Sequence, residues 1–160
     1  MITAVDTNVL LALLYGDEHA EVGESELRRA YQDGRVVVTQ IVYAELAADG
    51  RFETASELDR FLEDLSIGLV APSQEALFRA GEGFRRYIDR RPDGFQCPSC
   101  GTIQSIRCAD CDADLTPRQQ IAADFIIGGH ASVDADALVS FDTSFYRTYF
   151  PSLTVHPTSE

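Results

Sequence analysis

The sequence contains no lysine: its 13 basic side chains are all arginine and stand against 26 aspartates and glutamates, a formal net charge of −13 over 160 residues. Taken alone, that balance argues against a nucleic-acid partner, because phosphates are repelled. It resembles the composition of extreme halophiles. In molar salt the Debye length falls to about 3 Å, so a high negative surface charge is screened and serves solubility; in dilute buffer the same self-repulsion loosens the fold. Screening removes much of the objection to an RNA substrate. Long hydrophobic runs are also missing. The longest, such as VLLALLY from Val9 to Tyr15, fall well short of the ~20 residues of a bilayer span, and no basic leader precedes an apolar stretch. A soluble, cytoplasmic protein with no membrane partner is expected. GxSxG, P-loop and GxGxxG patterns are absent. Cysteine is absent too, except for four residues packed between Cys97 and Cys111.

With 45% hydrophobic residues, the chain suffices for one core, so a single domain over 1–160 is expected. Ile2 to Val5 is a short apolar run before Asp6, followed by a helical pattern. Val36 to Val38 reads as a second buried strand, Thr39 as an N-cap, and QIVYAELAAD as the next helix. Leu58, Phe61, Leu62 and Leu65 share a helix face from Thr54 to Leu65, and IGLVAP supplies a third strand. Ser73 to Arg91 reads as a long helix ending at RRPDG. Thr116-Pro117 signals a helix start running through RQQIAADFIIGGHAS. ALVSFD makes a fourth strand, TSFYRTYF a short helix, and LTVH a last edge strand. Strands alternating with helices predict an α/β fold with a parallel sheet flanked by helices. The segment 92–116 reads as an insertion between two helices. No internal repeat is evident, and the terminal PTSE is expected to fray.

Ligands of open parallel sheets bind beyond the carboxyl ends of the strands. Asp6 and Asp142 follow strands, while Glu45 and Asp124 lie in helices able to project toward the same edge. All four acids sit in apolar surroundings (IVYAELAA around Glu45, IAADFIIGG around Asp124), where an unpaired charge costs several kcal/mol. Four carboxylates converging there require cations, and Mg²⁺ or Mn²⁺ fits, being hard and oxygen-ligated. Asp17, Glu18, Glu21, Glu24 and Glu26 read instead as a solvated face. Asp134 and Asp136 read as loop acids before the last buried strand, with support of Asp142 by Asp136 as the alternative.

In that order, AVDTNVLLALL, IVYAEL, ADFIIGGHA and SFDTSFYRTYF resemble the signature segments of PIN-domain nucleases, most of all VapC-type toxins of toxin–antitoxin pairs. The resemblance covers both ends of the chain well and its middle poorly. It implies a PIN-like fold and an endoribonuclease with Asp6, Glu45, Asp124 and Asp142 as catalytic, metal-binding acids, and with Asn8 and Ser140 orienting them. It implies Mg²⁺- or Mn²⁺-assisted hydrolysis of RNA phosphodiesters, a homodimer, and an antitoxin partner. The alternatives are a housekeeping nuclease processing rRNA or tRNA, and a non-catalytic scaffold binding RNA or protein through the cysteine segment.

Cys97, Cys100, Cys108 and Cys111 form C-x2-C-x7-C-x2-C, the spacing of a tetrahedral all-thiolate zinc site. Zinc is preferred to disulfides or a redox pair because cytoplasmic disulfides are rare. Four thiolates leave no position for water, so a structural role follows. Gly101 suits the positive-φ turn of such a knuckle. Arg79, Arg86 and Arg90 at helical spacing, with Arg85 and Arg91 adjacent and Arg107 between the cysteine pairs, are the candidate RNA-backbone contacts; a solvated face paired with Glu82 and Asp89 is the alternative. His19, His130 and His156 do not cluster and read as helix-face or loop residues.

Overall fold

The structure is a computed structural model that describes residues 1–90, 94–97, 99–115 and 121–157. The chain opens with β1 (Ile2–Val5), α1 (Thr7–Tyr15) and α2 (Ala20–Asp33), then β2 (Arg35–Thr39), α3 (Gln40–Ala48) and α4 (Ala55–Asp64). β3 (Gly68–Val70) and the long α5 (Gln74–Arg90) follow. Four two-residue strands come next, β4 (Phe95–Gln96), β5 (Ile103–Gln104), β6 (Ile106–Arg107) and β7 (Asp114–Leu115). The chain returns to the main body with α6 (Ala123–Val133), β8 (Ala137–Val139), α7 (Thr143–Tyr149) and β9 (Val155–His156).

The main sheet has five strands in the order β3-β2-β1-β8-β9, and every pairing is parallel. Its central strands are buried on both faces, from Val36 to Val38 and from Ala137 to Val139, because helices cover both sides, as a parallel sheet requires. α2 packs on β2 and β8, α3 on β2 and β3, and α6 on β1 and β8. From β1 the chain steps outward to β2 and β3, then returns across to β8 on the other side of β1. The strand order therefore reverses between β1 and β8, and a crevice opens there beyond their carboxyl ends.

α4 shows how locally these elements are encoded. Thr54 accepts the Glu57 N–H at 3.3 Å, while the Glu57 carboxylate reaches back to the Glu53 N–H at 2.9 Å, a reciprocal cap that fixes the first turn. Thr54→Ala is expected to cost about 1 kcal/mol, read as a lower urea midpoint with unchanged slope. Thr39 caps α3 in the same way, accepting from the Val42 N–H.

α2 is a helix that the sequence pattern did not reveal. Its inward face is Gly23, Leu27 and Ala30, a stripe of two small residues and one leucine that is lost among surrounding charges. Gly23 is small because the Phe141 ring and Val9 lie against it, each 3.4 Å from where a Cβ would stand. α6 corrects a second expectation. Thr116 and Pro117 lie outside the described residues, but Ala122 is extended (φ −81, ψ 155) and the helix starts only at Ala123. Ile121 is exposed, whereas Phe125 and Ile127 are buried, so the helix begins where its packing begins. The fourth strand ends at Val139, leaving Ser140, Phe141 and Asp142 outside the sheet. The described part of α5 ends at Arg90; Arg91, Pro92 and the last three residues, 158–160, lie outside the described residues. The segment expected as an insertion holds two small antiparallel hairpins, β4–β5 and β6–β7.

Candidate active site

Asp6 leaves β1 at the crevice between β1 and β8 and is 4% exposed. Its backbone N–H continues the sheet by donating to Val139 O at 3.0 Å, so its position is set by strand pairing. One carboxylate oxygen, Oδ2, accepts three bonds: from Ser140 Oγ at 2.6 Å, Asn8 Nδ2 at 3.0 Å and the Tyr146 hydroxyl at 3.1 Å. Burial nonetheless pushes the Asp6 carboxyl up; the bonds from Ser140, Tyr146 and the Thr7 N–H oppose that, and the nearby Glu45 adds to it. A buried anion with this many donors is held in one orientation and still wants positive charge.

The supporting residues form a connected network. Asn8 Nδ2 also reaches Ser140 Oγ at 3.3 Å, and Asn8 Oδ1 accepts the Phe141 N–H at 3.3 Å. Ser140 Oγ accepts the Asp142 N–H at 3.1 Å, linking the ends of β1 and β8. Asn8 and Ser140, the two residues expected to orient the acids, both bond Asp6. Glu45, from α3, accepts a hydrogen bond from Thr7 Oγ1. Asp124, in the first turn of α6, is half-buried; burial pushes its carboxyl up, and the charges of Asp6 and Asp142 push it further.

Asp142 differs from the expectation of an acid in an apolar setting. It is exposed and stands three residues beyond the end of β8, as the N-cap of α7. Its Oδ1 accepts the Phe145 N–H at 3.2 Å and Ser144 Oγ at 3.3 Å, so capping alone would account for an acid here. Asp136 lies at the opposite edge of the sheet, where Oδ2 accepts the Ile2 N–H at 2.7 Å and its own N–H donates to Ile2 O. It clamps the start of β1 and does not support Asp142. Asp134 accepts from the Ser73 N–H at 2.8 Å and contacts His130 Nδ1 at 3.1 Å; against the effect of burial, these bonds hold its carboxyl below the usual range.

Asp6, Glu45 and Asp124 line one cavity of about 470 Å³, with Thr7, Asn8, Leu11, Ala48 and Asp49. Among the described residues that line it, none is basic. Neutralisation of the buried acids must therefore come from outside, and an all-oxygen donor set suits a hard divalent cation. Among the described residues no three His, Cys, Asp or Glu side chains are drawn together as the ligands of one ion. The acids act on one another at longer range, Asp6 with Glu45 and Asp124 with Asp6 and Asp142.

Two participants escaped the sequence pattern. Thr7 lies inside the DTN motif itself and reads as an ordinary helix residue. Tyr146 is fully buried, 140 positions from the Asp6 oxygen to which it donates; its spacing of four from Asp142 on α7 was the only hint. Burial first, and then the Asp6 charge, push its phenol far above the usual range, so it remains a donor at working pH. Tyr146→Phe keeps the packing and removes one of three donors. About a 10-fold loss in divalent-ion affinity is expected, the lower end of what second-sphere losses cost, measured by Mn²⁺ titration with the fold checked by circular dichroism.

The arginines are largely engaged. Arg79 pairs with Glu82 at 3.2 Å, Arg86 donates to Tyr149 O at 2.9 Å near the end of α7, and Arg107 pairs with Asp112 at 2.6 Å and Asp114 at 3.3 Å. Arg85 and Arg90 are exposed on α5, and Arg91 lies outside the described residues. His130 is buried on α6, His19 rests on the Phe141 ring with centroids 5.0 Å apart, and His156 lies in β9; the carboxylates that His130 and His19 meet are Asp134 and Glu18, outside the site.

Comparison with known proteins gives three results. The sequence model of the family described as PIN domain matches residues 3–151. Among curated proteins, no sequence matches the chain. Solved structures similar in fold include two of VapBC proteins. One is VapBC2 from Rickettsia felis bound to a DNA fragment from its promoter, at TM-score 0.60 and 19% identity, covering 98% of each chain. The other is VapBC-1 from nontypeable Haemophilus influenzae, at TM-score 0.61 and 18% identity, covering 98% of this chain and 97% of that one.

Proposed function

The chain belongs to the PIN-domain family, and from that premise we propose that it is a divalent-metal-dependent endoribonuclease acting as the toxin of a toxin–antitoxin pair. The observation that carries the chemistry is the Asp6 carboxylate, buried at the β1–β8 crevice, held by three donors, and sharing a cavity with Glu45 and Asp124. Asp6, Glu45, Asp124 and Asp142 would hold one or two Mg²⁺ or Mn²⁺ ions. When bound, such an ion supplies Lewis-acid chemistry at a phosphodiester.

The chain's own residues do the positioning. Ser140, Asn8 and Tyr146 fix the orientation of Asp6, and Thr7 fixes that of Glu45, so that both carboxylates are set before substrate arrives, which removes a reorganisation cost from the reaction. The acid-lined cavity repels a phosphate by itself and accepts one once the acids are neutralised, which couples substrate entry to cation binding. The toxin assignment rests on the likeness to the two VapBC proteins, and it makes the partner an antitoxin chain and the assembly a homodimer.

Induced expression in a bacterial host tests this reading. Wild type is expected to arrest growth with breakdown of cellular RNA, and Glu45→Gln, which can still accept the Thr7 hydroxyl, is expected to relieve both. Harmless expression of folded wild type would favour a housekeeping nuclease. Arrest undiminished in Glu45→Gln would favour a scaffold acting through another surface.

A further inference from the structure

The cysteine segment is a repeat that the sequence hides. FQCPSCGTIQ (95–104) and IRCADCDADL (106–115) share only their cysteines, yet among the described residues the strands, turns and backbone hydrogen bonds of one recur in the other at an offset of eleven residues. Cys97 N–H donates to Thr102 O, and Cys108 N–H to Ala113 O, both at 2.9 Å; Gly101 N–H donates to Cys97 O, and Asp112 N–H to Cys108 O, again at 2.9 Å. The residue after each second cysteine turns with positive φ, 73° at Gly101 and 56° at Asp112, a conformation open to glycine and tolerated by aspartate. Flanking strands pair in the same register, Phe95 with Gln104 and Ile106 with Leu115.

Among the described residues, little apolar area holds these two turns in place. Two-residue strands are far too short to be stable alone, and the aliphatic side chains that could form a core, Ile103, Ile106 and Leu115, are 39%, 43% and 43% exposed. Each turn instead aims polar groups at sulfur. The Thr102 backbone N–H points at Cys100 Sγ, those of Asp110 and Cys111 at Cys108 Sγ, and Thr102 Oγ1 lies 3.3 Å from Cys100 Sγ. Within each turn the two thiols are neighbours, so each offers a two-thiolate edge.

We infer that Cys97, Cys100, Cys108 and Cys111 jointly hold one zinc ion, two thiolates from each of the two matched turns, and that this ion serves as the core of the segment. Among the described residues no three metal-binding side chains group around a common point, so joint binding by the two thiol pairs requires the turns to approach one another. Four thiolates complete a tetrahedron, so the site is structural and separate from the carboxylates. The inference does not depend on the nuclease reading.

The full-length reduced protein tests it by metal analysis and by Co²⁺ titration. One zinc per chain is expected, together with a cobalt spectrum showing thiolate charge-transfer and tetrahedral d–d bands. Cys100→Ser and Cys111→Ser, one from each turn, are each expected to weaken binding at least 10-fold and to abolish the four-thiolate spectrum. Circular dichroism, dominated by the helices of the main body, checks that each variant is folded. Absence of zinc and cobalt binding by the reduced wild type would overturn the inference. So would a site that survives either substitution, which would place the metal on one turn alone.

Discussion

Asp6→Asn is expected to reduce RNA cleavage at least about 100-fold, the upper end of what loss of a metal-supporting group costs, while raising the melting temperature of the metal-free protein. Both effects come from one geometry. The amide oxygen of asparagine can take the place of Oδ2 and keep the bonds from Ser140, Asn8 and Tyr146, so the fold survives while the charge is lost. Folded Asp6 and Asp124 titrate above their ordinary value of 3.8, chiefly because burial disfavours the anion. A carboxyl raised on folding contributes stability below its ordinary value, and that contribution is lost as pH rises through the raised one. At neutral pH the metal-free wild type therefore carries buried charge as a cost. The gap in melting temperature between variant and wild type should open as pH rises from acid to neutral, by roughly 2–4 °C for each kcal/mol relieved. Mn²⁺ should raise the melting temperature of the wild type and not that of the variant. Glu63→Gln, which removes the same formal charge from the surface, should reproduce neither effect. A melting temperature that falls in Asp6→Asn at neutral pH would contradict the electrostatic account.

The second large effect is steric. α6 carries Asp124 and packs closely on α5, an approach made possible by Gly129, while Gly128 leaves room for the Phe150 ring that follows α7. A Cβ at 129 would stand 2.4 Å from Ala76 O and 2.9 Å from Ala80 Cβ; one at 128 would stand 2.3 Å from the Phe150 ring. Backbone oxygen cannot move aside as a side-chain tip can, so Gly129→Ala should cost about 3 kcal/mol or more, the upper range for overpacking. Gly81, also in α5, meets nothing within 4 Å, so Gly81→Ala should stabilise by about 0.5–1 kcal/mol. Opposite shifts in the urea midpoint of the two variants are the expected result. Equal shifts would mean that helix propensity rather than the close approach governs both sites. Residual cleavage by Gly129→Ala should fall further than its folded fraction, because the clash displaces the helix that carries Asp124.

What the sequence made legible was whatever is encoded within a few residues. The apolar run ending at Asp6, the Thr39 cap, and the helix face at Leu58 and Leu62 all depend on near neighbours, and the structure has them. Asn8 and Ser140 stand out through the motifs that resemble the family, and each donates a hydrogen bond to Asp6. What stayed hidden depends on distance or on small residues. Tyr146 reaches Asp6 across most of the chain, and no periodicity encodes such a contact. α2 buries Gly23 and Ala30, which carry too little apolar area to stand out beside Glu21, Glu24 and Glu26. The cysteine repeat is one of backbone geometry, with Asp112 in the place of Gly101, so side-chain identity concealed it. LVSF before Asp142 implies an acid in apolar surroundings, but the strand ends at Val139 and the chain has turned to the surface by Asp142.

The central claim is that the carboxylates at the β1–β8 crevice form a divalent-metal nuclease site. Cleavage of total cellular RNA by the purified, zinc-loaded protein in high KCl, with Mn²⁺ and then with excess chelator, tests it most directly, with Asp6→Asn purified in parallel. The account predicts cleavage that requires the added ion, stops on chelation and is absent from the variant. Cleavage of equal rate by Asp6→Asn, or none by folded wild type with Mn²⁺ present, would contradict it.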